Sequence, residues 1–181
     1  MNLANKITIA RVLMIPLFMI ILFSDFSNSN YIAAIIFTIA AATDGIDGYI
    51  ARSRNQITTF GKFIDPLADK LLVSAALISM VELGKVPAWI VVVIIAREFT
   101  ITGFRIIAAS EGITIAASPL GKIKTSTQLI AIIFILIDNF PLKYINFPFG
   151  KIMLYISLFF TVISGIDYLY RNKKVLRTGD K

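Results

Sequence analysis

Asp44-Gly45-Ile46-Asp47-Gly48-Tyr49-Ile50-Ala51-Arg52 is followed, after eight residues, by Gly61-Lys62-Phe63-Ile64-Asp65-Pro66-Leu67-Ala68-Asp69-Lys70. An apolar run at 31–42 leads into the first stretch, and another at 71–81 leads out of the second. Asp44 and Asp47 are three apart and Asp65 and Asp69 four apart, so each pair shares one face of a helix. Pro66 either begins the second helix, with Asp65 as its cap, or kinks it; both geometries keep Asp65 and Asp69 neighbours. The connection at 53–60 is short, which makes the two helices antiparallel neighbours. All four acids then converge where two apolar segments meet.

Working outward, the whole chain is apolar. Of 181 residues, 57% are hydrophobic and 16% charged, and the mean hydropathy is +0.80. Soluble domains run nearer about 45–50% apolar and about 25% charged. A membrane span needs about 20 mostly apolar residues, and that ruler finds six candidates: 7–23, 31–54, 61–81, 87–109, 122–137 and 150–170. Polar or helix-breaking residues fill the gaps, among them Gly84-Lys85, Glu111-Gly112, Ser118-Pro119 and Asp138-Asn139-Phe140-Pro141. The first run resembles a signal peptide, but Pro16 interrupts it and no small-x-small site follows Phe23, so it reads as a helix. The expected fold is all-α: a polytopic membrane protein of six transmembrane helices, one domain over 1–181, with 171–181 a polar tail.

Charge sets the orientation. Lys6, Arg11, Arg52, Arg54, Lys62, Arg105, Lys122 and Lys124 fall at one set of helix ends, and the tail adds five more cations. Mainly Lys85, Lys143 and Lys151 mark the other side. The positive-inside rule puts both termini in the cytoplasm. Trp89 and Tyr31 then anchor the outer interface. The net charge of +7 suits anionic lipid or nucleic acid; the hydropathy selects membrane lipids and no nucleic acid.

Histidine and cysteine are both absent. That excludes thiolate zinc sites, cysteine nucleophiles and a histidine base. An intramembrane charge costs about 2.5–3.5 kcal/mol at a helix centre, and four clustered anions also repel one another. Salt bridges to Arg52, Lys62 and Lys70 are one way to neutralise them, and a proton or cation pathway is another use. Divalent cations, which prefer oxygen ligands, are a third; a pair about 3.5–4 Å apart is a clamp for phosphoryl transfer. Gly45 and Gly48 strip side chains from the face beside the acids. Close helix packing or close approach of a ligand accounts for them.

The pattern Asp44-x-x-Asp47-Gly48-x-x-Ala51-Arg52, then Gly61-x-x-x-Asp65-x-x-x-Asp69, resembles the signature of the CDP-alcohol phosphotransferase family, with no position departing from it. Asn5-Lys6-Ile7-Thr8-Ile9-Ala10-Arg11, Ala96-Arg97-Glu98-Phe99 and Leu120-Gly121-Lys122-Ile123-Lys124-Thr125 support the likeness. The resemblance implies that Asp44, Asp47 and Asp65 hold two divalent cations, Mg²⁺ or Mn²⁺, and that Asp69 completes the site and acts as general base. It implies that Gly48, Ala51 and Arg52 face the CDP moiety while Gly61 allows close approach. It implies a homodimer in the bacterial plasma membrane with its active site on the cytoplasmic side. The implied reaction moves a phosphatidyl group from CDP-diacylglycerol to sn-glycerol 3-phosphate. Serine, inositol phosphate or phosphatidylglycerol are competing acceptors, and a cation or proton transporter is the competing class.

An anionic acceptor needs cations. Arg97 and Arg105 are eight apart, about two helical turns, and share a face. Lys122 and Lys124 follow beyond a loop. Arg105, Lys122, Lys124 and the deeper Arg97 are the candidate ligands of the acceptor phosphate. For the lysines the alternative is anchoring to anionic lipid heads; for Arg97 it is a structural pair with a carboxylate. Asn5, Thr8 and Arg11 lie at three-residue steps and either reach the nucleotide or cap the interface. Asp167 is placed to pair with Arg171 at i,i+4.

Overall fold

A computed structural model describes residues 3–53, 59–110, 112–113, 115 and 118–172, without the side chains of 3–6, 44–53, 59–66, 110 and 143. Among the described residues the chain is all-helical. Its elements are α1 (Leu3–Leu22), α2 (Ser29–Ser53), α3 (Thr59–Glu82), α4 (Ala88–Ser110), α5 (Pro119–Leu136), a 3-10 turn (Leu142–Ile145) and α6 (Phe149–Arg171). Each α-helix falls on one of the six apolar segments. Among the described residues two of them, α5 and α6, are long and apolar enough by length and composition to cross a membrane. In α3 Lys62, Asp65, Asp69 and Lys70 crowd the first half, while in α4 Arg97 and Glu98 sit near the middle and Arg105 lies beyond it.

Two boundaries differ from the sequence reading. Pro66 lies inside α3, which begins seven residues earlier at Thr59, so Asp65 is not a cap. Pro16 likewise sits inside α1. Proline is tolerated within membrane helices, where neighbouring groups satisfy the carbonyl it frees. Ser118-Pro119, read as a break, starts α5 instead. Ser118 is the N-cap, its Oγ accepting the Gly121 N–H at 3.1 Å, and Pro119 occupies the first helical turn.

The helices pack chiefly α5 on α6, α1 on α2 and α3, and α4 on α6 and α3. On α6 the buried positions Gly150, Leu154, Ser157, Thr161, Ser164 and Tyr168 step by threes and fours and, with Gly165 beside Ser164, form one stripe. Most are small, which lets a neighbouring backbone approach closely. The apolar core gathers Phe18, Phe37, Leu72, Leu77, Met80, Ile90, Ile94, Ile132, Leu136 and Leu154. Large apolar residues such as Leu13, Ile20, Val92 and Ile166 point outward. At the end away from the acidic segment, Lys85 Nζ binds Asp138 Oδ1 at 2.8 Å and Asn30 Nδ2 donates to Asp138 Oδ2 at 3.4 Å. These bonds tie the first turn of α2 and the α3–α4 connection to the α5–α6 connection. The remaining polar chemistry is left at the opposite end.

Candidate functional site

At that opposite end α3, α4, α5 and α6 enclose a cavity of about 490 Å³. Its charged lining is Asp69 and Lys70 from α3, Arg97, Glu98 and Arg105 from α4, and Lys122 from α5. Tyr168 of α6 closes one side. Among the described residues four cations line it against two carboxylates, a balance that suits an anion. A chamber of about 30 Å³ lies beside it between α3, α4 and α5, and Asp69, Lys70 and Glu98 line both spaces. Gln128 also lines the chamber; its side chain is buried and neither amide atom has a protein partner.

The cavity wall is wired by charge. Glu98 Oε1 accepts from Lys124 Nζ at 2.6 Å and from Arg97 Nη1 at 2.9 Å, and Lys70 Nζ lies 3.5 Å from Oε2. Arg97 Nη2 donates to Ser164 Oγ at 2.9 Å, which carries the network to α6. Glycine makes room for this arginine: a β-carbon on Gly165 would stand 3.2 Å from Arg97 Cγ. Arg105 is held differently. Its Nε donates to the Tyr168 hydroxyl at 3.0 Å, and its guanidinium carbon lies 5.4 Å from the centre of the same ring. One tyrosine thus supplies both an acceptor and a cation–π face.

The structure sorts the sequence candidates. Asp69, Arg97, Arg105 and Lys122 meet in the cavity. Lys124 does not line it; it is buried beneath Glu98 and faces the chamber. Helix geometry explains the split, because residues two apart on a helix point about 200° apart. Lys122 and Lys124 therefore cannot share one wall. Arg97 has the carboxylate pair that was the alternative to a phosphate contact. Thr8 and Arg11 are buried, not solvated at an interface, and Arg11 Nε reaches Thr43 Oγ1 at 3.5 Å, joining α1 to α2 one residue before Asp44. Asp167 pairs with Arg171 at 2.6 Å, as the spacing required.

Asp44, Asp47, Gly48, Ala51 and Arg52 occupy the last turns of α2, Gly61 and Asp65 the first turns of α3, and Asn5 the first turn of α1. The side chains of these eight lie outside the described residues. Among the described residues no three acids gather into a metal-binding group. Glu98 and Tyr168 escaped the sequence reading as site residues. The Arg97-Glu98 pair inside an apolar helix was the available signal for the first; Tyr168 carries none, since a tyrosine near a helix end reads as an interfacial anchor.

A sequence model of CDP-alcohol phosphatidyltransferases matches residues 1–163. The chain is 48% identical over 191 aligned positions to the CDP-diacylglycerol–glycerol-3-phosphate 3-phosphatidyltransferase of Bacillus subtilis, covering 99% of both chains. It is 36% identical over 175 positions to the protein of the same name from Rickettsia felis, covering 96% of both. A probable phosphatidylglycerophosphate synthase of Mycobacterium tuberculosis is 38% identical over 174 positions, covering 94% of this chain and 81% of that protein.

Proposed function

The chain belongs to the CDP-alcohol phosphatidyltransferase family, and on that premise we propose that it transfers the phosphatidyl group of CDP-diacylglycerol to sn-glycerol 3-phosphate. The products are phosphatidylglycerophosphate and CMP. One observation carries the choice of acceptor: Asp69 shares a cavity with Arg105 and Lys122. A small acceptor with a phosphate at one end and a hydroxyl at the other spans such a cavity, its phosphate on the cations and its hydroxyl toward the acid. The names of the similar proteins from Bacillus subtilis and Rickettsia felis support the same acceptor.

In the proposed reaction the 1-hydroxyl oxygen of glycerol 3-phosphate bonds to the lipid-bearing phosphorus. The bond from that phosphorus to the bridging oxygen breaks, and CMP departs with the electron pair. Asp69 accepts the hydroxyl proton, for which it must lie within about 2.6–3.2 Å of the oxygen or one water away. Arg105 presents a planar guanidinium and Lys122 a point charge to the acceptor phosphate. Lys124, buried beneath Glu98, supports the wall from behind. Gly48, Ala51, Arg52 and Gly61 take the CDP moiety, with Asn5 and Thr8 from α1.

Asp44, Asp47, Asp65 and Asp69 would hold two divalent cations. The donor chemistry fits: oxygen ligands only, at helical spacings of three and four, on two continuous helices joined by a short connection. When bound, such ions draw charge from the pyrophosphate and favour departure of CMP.

The proposal extends to the membrane. The α-helices run from 18 to 25 residues, about 27–37 Å at 1.5 Å per residue, against a hydrocarbon core of about 30 Å. Six spans put both termini and the cavity on the cytoplasmic side of the bacterial plasma membrane, in one domain over 1–181 that works as a homodimer. The donor's acyl chains stay in the bilayer while its headgroup enters the site.

The test is CMP release by purified protein given CDP-diacylglycerol, Mg²⁺ and one acceptor at a time. Release with glycerol 3-phosphate is expected. Release only with serine or inositol phosphate rejects the acceptor. Omitting the divalent cation, or chelating it, is expected to stop release. Arg105→Ala combined with Lys122→Ala is expected to raise the KM for glycerol 3-phosphate about tenfold or more, since a hydrogen bond to a charged group contributes about 1.5–3 kcal/mol. The KM for CDP-diacylglycerol should move far less; equal shifts would discredit the assignment of this pocket.

A further inference from the structure

Glu98 presents a physical puzzle. It is a carboxylate on the wall of a cavity whose other charges suit an anion. A carboxylate there repels the ligand, so its presence needs a compensating role. Its contacts supply one. Through Glu98, Lys70 of α3, Arg97 of α4 and Lys124 of α5 are held on a single group, at 3.5, 2.9 and 2.6 Å. Arg97 passes the tie on to Ser164 of α6 at 2.9 Å. The four helices that line the cavity among the described residues therefore meet in one network centred on this side chain.

The two cavity-lining cations in that network, Lys70 and Arg97, have long stems with several rotatable bonds. Without a fixed anion they repel each other and Lys124 and spread over many rotamers. With Glu98 in place they stand as an ordered cationic wall in the cavity that Asp69 and Arg105 also line.

We infer that Glu98 is a positioning residue for the acceptor: it fixes Lys70 and Arg97 so that the cavity meets the acceptor phosphate with a preformed array. The inference rests on the acceptor reading above. It predicts a sign that simple electrostatics contradicts. If Glu98 were only a background charge, neutralising it would make the cavity more positive and tighten binding of a dianion. If it positions the cations, neutralising it weakens acceptor binding in spite of the added positive field.

The experiment uses the full chain in detergent micelles carrying CDP-diacylglycerol, with steady-state kinetics in both substrates. Glu98→Gln keeps the side-chain shape and removes the charge. The KM for glycerol 3-phosphate is expected to rise about tenfold, the loss of one charge-assisted contact, while the KM for CDP-diacylglycerol changes less than about twofold, as the cations that Glu98 holds, Lys70, Arg97 and Lys124, are none of the proposed donor contacts. A second variant, Glu98→Gln with Lys124→Met, removes the cation that the first leaves buried without its carboxylate; the same rise is expected. A lowered or unchanged KM for glycerol 3-phosphate overturns the inference. So does an equal effect on both substrates, or the failure of both variants to fold, either of which assigns Glu98 to stability alone. Arg105→Ala run in parallel separates the two readings. If it raises the acceptor KM while the Glu98 variants do not, this inference fails and the acceptor pocket stands; if it too has no effect, the pocket itself is wrong.

Discussion

Asp69→Asn is expected to lower kcat by about 10²–10⁴-fold, the usual contribution of a positioned base, and to leave binding of CDP-diacylglycerol largely intact. The substitution keeps size and shape and removes the capacity to take a proton. The chain has no histidine and no cysteine. Among the described residues Glu98 is the other carboxylate in the cavity, and it is already engaged by Lys70, Arg97 and Lys124. Single-turnover CMP release measures the chemical step, and competition with a labelled donor lipid measures binding. A variant that turns over at the parental rate removes Asp69 as the base. A variant whose rate returns when Mg²⁺ is raised leaves Asp69 the ion-holding role alone and removes it as the base, because asparagine retains one oxygen and loses the charge.

The helices were legible because apolar runs of a set length are punctuated by charged residues. Segments of about 20 apolar residues, separated by Gly84-Lys85 or Asp138-Asn139, locate the helices with little help from propensity. Which face of each helix turns inward was not legible. In a soluble helix an apolar stripe marks the buried side, but lipid is as apolar as a protein core. Here Phe18 and Phe37 are buried while Phe159 and Ile166 face outward, and Ser157, Thr161, Ser164 and Gln128 are inside. Charges were a better guide, since each one in an apolar run stands out. Asp69, Arg97, Arg105 and Lys122 were found that way and share the cavity. Spacing alone could not say which charge meets a ligand and which meets another charge. Lys122 and Lys124 look alike in sequence, yet one lines the cavity and the other lies under Glu98. The role of Tyr168 depends on α6 returning beside α4 to receive Arg105, a tertiary fact that no local pattern encodes.

That return depends on how closely α5 and α6 pack, which Gly150→Ala probes. A β-carbon at Gly150 would stand 2.8 Å from Ile135 Cγ1, 2.9 Å from the Ile135 backbone nitrogen and 3.1 Å from Asn139 Oδ1. The isoleucine side chain can turn aside; the backbone nitrogen cannot, because it belongs to α5 itself. Asn139 is equally fixed, since its Oδ1 accepts the Gly150 N–H at 2.6 Å and its backbone is in the left-handed region at φ 59°. The helices must therefore move apart at this crossing, at a cost of about 1–3 kcal/mol for overpacking. Gly103→Ala is the matched control. Nothing lies within 4 Å of its added methyl, and in mid-helix the change should stabilise by up to about 1 kcal/mol through propensity. Unfolding in mixed micelles, followed by circular dichroism, should thus shift in opposite directions for the same chemical substitution. Because α5 also carries Lys122 and α6 carries Tyr168, the Gly150 variant should lose acceptor affinity on warming before it loses helicity. Equal stability of the two variants would mean that α5 and α6 do not approach as closely at Ile135 as these distances require, and the cavity wall they form would have to be redrawn.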